Sequence, residues 1–182
     1  MTKERTCRSG RVFSVTLLLI FLFTLSLSTS SLFALNTEIN RATLRGLKGV
    51  RVLIEDLPPE AEQAGLTKNQ LQNDVESKLQ GAGIKTLSQE ECFKTPGEPY
   101  FYINVNVNAT KNEGELYAYS IDIGLVQNVI LERDPKQTGY AVTWSTGGLG
   151  LLGKKQLNQI RDSVEDMVLI FVKAFLSVNP RK

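Results

Sequence analysis

The stretch Gly147-Gly148-Leu149-Gly150-Leu151-Leu152-Gly153-Lys154-Lys155 contains a GxGxxG match and nearly completes the phosphate-loop pattern GxxxxGK followed by Ser or Thr. In such a loop the hydroxyl after the lysine holds Mg²⁺, and here Lys155 stands in its place. A dinucleotide fold would need another parallel strand with an acidic ribose ligand beyond the next helix, and only that helix and a tail remain. Glycines also serve an ordinary strand-to-helix loop by taking positive φ, so a loop without bound phosphate is expected.

Two other places have residue types suited to chemistry. Cys92 follows Glu90 and Glu91, but neighbouring carboxylates raise a thiol pKa rather than lower it. Glu55 and Asp56 stand where a strand should end, yet adjacent strand residues point to opposite faces and do not share a substrate. The chain has no histidine, which removes Ser-His-Asp and Cys-His catalysis, histidine metal ligands and an imidazole switch near neutral pH. The expectation is a protein that is not an enzyme, with no catalytic residue, no cofactor and no metal site.

What must position these residues begins with export. Lys3, Arg5, Arg8 and Arg11 precede an apolar run from Val12 to Leu27, then a Ser/Thr-rich stretch and Phe33-Ala34-Leu35. That order of basic, apolar and small residues marks residues 1–34 as a signal peptide, with cleavage after Ala34 or near Ser28-Thr29-Ser30 and a periplasmic or secreted destination. The alternative is an uncleaved anchor, which would be the chain's only link to a membrane. Losing residues 1–34 removes four basic residues and one acid, turning a net charge of +2 into −1. No Lys/Arg stripe then remains for phosphates, and nucleic acid is not an expected partner. Cys7 is lost as well, so Cys92 has no disulfide partner within the chain and the fold must rest on its apolar core.

Residues 35–182 read as one domain. A short helix or ordered lead-in occupies 35–48, and Val50 to Ile54 is a buried strand. Thr67 and Gln70 form a capping box for a helix with Leu71, Val75 and Leu79 on one face, and Leu66 can staple onto Leu71. Gly81-Ala82-Gly83 ends it, and Ile84 to Leu87 is a second, parallel strand. Phe101, Ile103, Val105 and Val107 alternate with polar residues, Lys111 to Gly114 turns, and Tyr117 to Leu125 alternates again with a bulge at Gly124. A turn around Asp134-Pro135 and Gly139 leads into Tyr140 to Trp144, and a long helix runs from about Lys155 to Val178. The expected fold is α+β: a two-layer sandwich of order βαββββα, a five-stranded mixed sheet with two helices on one face.

Two surfaces are left for binding. The solvent face of the sheet should carry Tyr102, Asn104, Asn106, Ser120, Asp122 and Thr143, able to hydrogen-bond a glycan or another small ligand, or to remain an ordinary hydrated face. The outermost strand offers unpaired backbone groups to an extended partner. Tyr117, Tyr119, Tyr140 and Trp144 are expected mostly in the core.

Residues 49–57, Gly65-Leu66-Thr67 through Gly83-Ile84, Tyr117-Ala118-Tyr119-Ser120, and Thr143-Trp144 with Gly147-Gly148 resemble a family of exported bacterial proteins with no activity assigned to it. That resemblance implies an envelope or secreted location and carries over no catalytic residue. The element order is also similar to small periplasmic α/β domains such as the amino-terminal domain of the Tol-Pal translocation protein, which docks partner proteins; fold alone does not fix function. The leading expectation is a non-catalytic exported module that binds a cell-envelope protein or peptide, with small-ligand or glycan binding on the polar face as the alternative.

Overall fold

A computed structural model of the chain describes residues 34–63, 65–110 and 116–180. Residues 1–33 of the expected signal peptide and the Lys111 to Gly114 turn lie outside the described residues. Among the described residues no helix is long and apolar enough to cross a membrane.

The fold is α+β, with four strands in the order β1 (Arg51–Ile54), β2 (Tyr100–Ala109), β3 (Leu116–Leu131) and β4 (Asp134–Gly153). β1 lies parallel to β2, and the other two pairings are antiparallel. The expected fifth strand, Ile84 to Leu87, is reduced to a single parallel bridge between Val50 and Thr86. Val50 N–H donates to Lys85 O and Leu87 N–H donates to Val50 O, both at 2.9 Å. The segment is short because it is closed in at both ends. Gly83 has just left the preceding helix with φ +77°, and Ser88 at once caps the next one.

Five helices are described: α1 (Glu38–Ala42), α2 (Pro59–Gln63), α3 (Lys68–Gly81), α4 (Gln89–Phe93) and α5 (Gln159–Val178). α3 starts at the expected capping box, with Thr67 and Gln70 each satisfying the other's backbone N–H. It buries Leu71, Val75 and Leu79, and Leu66 is buried beside them. α5 begins four residues later than Lys155, after a 3₁₀ turn at Lys154–Gln156. Its buried stripe is Ile160, Val164, Val168, Phe171, Val172, Ala174 and Phe175. α3 and α5 lie side by side, joined by Arg161 to Asp74 (2.5 and 2.8 Å) and Lys78 to Glu165 (2.7 Å).

The inner sheet face consists of Val52 and Ile54 on β1, Phe101, Ile103, Val105 and Val107 on β2, Tyr117, Ile121, Ile123 and Leu125 on β3, and Trp144 on β4, all buried in one core with the helices. At its centre the Phe171 ring lies 4.4 Å from Phe101 and 5.1 Å from Trp144, centroid to centroid.

The glycine stretch is not a loop. Gly147 to Gly153 form the last third of β4. Among the described glycines positive φ is confined to Gly46, Gly65, Gly83 and Gly97, so these β4 glycines answer a different need. A Cβ on Gly148 would stand 2.7 Å from Met167 Cε of α5, and one on Gly150 would stand 2.7 Å from the Tyr119 ring. They are small because a helix and an aromatic ring press on the strand there.

The β3–β4 turn is at Glu132 and Arg133, earlier than expected, so Asp134 to Gly139 belong to β4. β2 ends its pairing at Tyr100 with Val126, and beyond that point β3 and β4 continue as a two-stranded ribbon. Tyr140 therefore lies 54% exposed on the ribbon rather than in the core. Its ring packs 5.9 Å from Tyr100 and its hydroxyl donates to Glu98.

Because Phe171 touches both β2 and β4, Phe171→Ala should destabilise the chain by about 3–5 kcal/mol in equilibrium urea unfolding. A loss below about 1 kcal/mol would contradict this central role.

Candidate functional site

The outer sheet face is laid out in rows by the strand register. Tyr102 pairs with Gly124 and then Ser145; Asn104 with Asp122 and Gly147; Asn106 with Ser120 and Leu149; Asn108 with Ala118 and Leu151. Five of the six expected face residues, Tyr102, Asn104, Asn106, Ser120 and Asp122, share this face. Asn106 Nδ2 donates to Asn104 Oδ1 across 3.3 Å.

Thr143 does not join them. Leu125 pairs with Trp144 and Val126 with Val142, so Thr143 is the extra residue of a β-bulge on β4. The bulge lies close to the expected Gly124 but on the opposite strand. It turns Thr143 toward α1, where its carbonyl accepts from Asn40 Nδ2 at 3.1 Å and its hydroxyl accepts from Gln127 Nε2 at 2.7 Å.

Burial, followed by a hydrogen bond to the Glu55 carboxylate and its charge, pushes the Tyr102 hydroxyl up to about 12. Glu55 and Asp56 diverge as adjacent strand-end residues should. Asp56 is held by Lys68 at 2.7 Å, and that hydrogen bond lowers its carboxyl below the ordinary range. Lys154 follows β4, at the opposite side of the sheet from β1, so it does not converge with Glu55 and Asp56.

Cys92 is buried on α4, with its thiol 3.5 Å from Pro99 O. Burial is the main cause that raises its pKa, and the acid that adds to it is Glu98. Glu90 and Glu91, the neighbours in sequence, are engaged by Lys94 at 2.5 Å and Lys85 at 2.6 Å. Two cavities, of about 270 and 240 Å³, lie elsewhere: one beside Asp74, Ser77, Lys78 and Glu165, the other between Thr43 to Lys48 and Thr95, Pro96 and Gln127.

The sheet edges differ. On the β1 side the Thr86 bridge takes up Val50. On the β4 side Leu35 pairs antiparallel with Ser145, whose N–H donates to Leu35 O at 3.2 Å. Asn36 Oδ1 accepts from Trp144 Nε1 at 3.0 Å and fixes the segment there. In an antiparallel strand outward groups recur at every second residue, so those of Gly147, Leu149 and Leu151 point away from β3 as those of Ser145 do. At Gly153 the outward N–H donates to Gln156 Oε1 at 3.2 Å. Between the two covered ends, Gly147, Leu149 and Leu151 have no hydrogen-bond partner for these groups among the described residues. Leu149 and Leu151 are 68% and 64% exposed, and Leu116 beside them is also exposed. Sequence reasoning anticipated an open edge without placing it; the signal was the absence of charge from Gln137 to Gly153.

No protein-family model matches the chain, and no curated protein is similar to it. Among solved structures, a PelC dodecamer from Paraburkholderia phytofirmans is similar over 68% of this chain and 87% of that one, at 14% identity and a TM-score of 0.36. A likeness that slight carries no conclusion about fold or function.

Tyr102 holds its proton above the ordinary tyrosine range in the folded chain, so the protonated form favours folding. The associated stability is complete below about pH 10 and is lost as pH rises toward about 12. Ultraviolet titration of wild type against Tyr102→Phe should show one late-ionising tyrosine missing from the variant, and identical curves would contradict the placement of Glu55 against it.

Proposed function

We propose that this chain is a non-catalytic exported module, periplasmic or secreted, whose β4 edge docks an extended segment of a cell-envelope protein or peptide. The observation that carries this reading is the stretch Gly147 to Leu151, an edge whose donors and acceptors have no partner among the described residues and which lies beside two exposed leucines. Backbone hydrogen bonds would supply the affinity, and Leu149 and Leu151 would supply the apolar contacts. Export rests on the order of residues in the leader and on the two resemblances described above.

A second reading, a glycan or small ligand on Tyr102, Asn104, Asn106, Ser120 and Asp122, is favoured by their shared face and their alignment in register. It would use the polar side chains and leave the edge idle.

A photo-reactive residue at position 151 should trap a defined envelope protein or peptide, and the same residue at Asp162 on α5 should not. Leu149→Pro removes an outward N–H without touching the β3 ladder and should abolish the product. Cross-linking of equal strength from both positions, or indifference to Leu149→Pro, would count against edge docking. Loss of glycan binding in an Asn104→Ala, Asn106→Ala double variant would favour the second reading.

A further inference from the structure

The part of the β4 edge that has no partner among the described residues is symmetric about one residue. Ser145 is taken by Leu35 and Gly153 by Gln156, and these covered ends lie equally far on either side of Leu149. We propose that the edge pairs with a second copy of this chain, β4 against β4 and antiparallel, about a two-fold axis at Leu149; this rests on the edge-docking reading above and names its partner.

The register follows from the outward groups. With the axis at Leu149, that residue faces Leu149 of the second copy in a hydrogen-bonded pair, and Gly147 faces Leu151 of the second copy. Outward residues thus meet outward residues, and each covered end lies opposite the other copy's covered end. Size matches as well. Gly147 bares the outer face where the second copy's Leu151 would lie, and the four leucines at positions 149 and 151 would meet in one apolar cluster.

Charge selects the occupant. Beside a two-fold axis a charged residue meets its own like charge, which repels. Gln137 to Gly153 carry none, so the strand is electrostatically compatible with itself. The opposite side of the sheet is unlike this: next to its Thr86 bridge it carries Lys85, Glu90, Glu91 and Lys94.

Sedimentation velocity of the full chain over a range of concentrations should show a monomer–dimer equilibrium. Leu149→Lys and Leu149→Glu, at an exposed position, should leave the circular dichroism spectrum unchanged and each weaken dimerisation about tenfold or more. Mixing the two variants should restore the dimer, because only at a two-fold axis does position 149 meet itself. A dimer insensitive to both variants, or one weakened by both and not restored by mixing, overturns the proposal. A monomeric wild type that still cross-links an envelope protein from position 151 overturns the pairing of copies and leaves edge docking standing. A monomer that cross-links nothing removes both.

Discussion

The structure depends on having a single apolar sheet face, with Phe171 set into it. Its ring lies 4.4 Å from Phe101 and 5.1 Å from Trp144, with Phe175 at 6.2 Å, so one side chain of α5 unites β2, β4 and its own helix. A sheet that is apolar on one side admits a helical layer only there. Trp144 is the part of this contact that reaches outward. Its indole N–H must find an acceptor when the ring is buried, and Asn36 provides it, which draws the first described residues onto the edge of β4.

The elements governed by periodicity were legible in the sequence. Phe101 to Val107 and Tyr117 to Leu125 alternate as half-buried strands do, and Thr67 with Gln70 announces α3. What was not legible depended on neighbours distant in the chain. The glycine run looks like a loop until Met167 and Tyr119 are seen pressing on Gly148 and Gly150. Pro135 and Gly139 look like a turn, but Pro135 sits in an irregular stretch where Leu131 pairs with Asp134 and Ile130 with Thr138, and a strand at an edge tolerates both. Tyr140 looks like core because nothing local says that β2 stops at Tyr100 while β3 and β4 run on.

The candidate face was legible for the same reason that its one error was not. A period of two places Tyr102, Asn104 and Asn106 together, and cross-strand register brings Ser120 and Asp122 beside them. A single inserted residue reverses that logic, and Thr143 is such a residue: everything on β4 before it is out of phase with everything after. Which strand forms an edge belongs to topology rather than to any local pattern.

Among the described residues, little protects the stretch of β4 from Gly147 to Leu151. Natural edges are blunted by lysine, proline, a bulge or a covering segment. The bulge at Thr143 and the cover from Leu35 both lie before Thr146, and the lysines at 154 and 155 come after the strand has ended. Inward packing explains Gly148 and Gly150, whose space is taken by Met167 and Tyr119, but it makes no demand on positions 149 and 151, which face the other way. A lysine at either place would satisfy this chain's own core equally well and would guard the edge. Leucine at both, 68% and 64% exposed, leaves the edge apolar at the two positions where a charge would cost this core nothing.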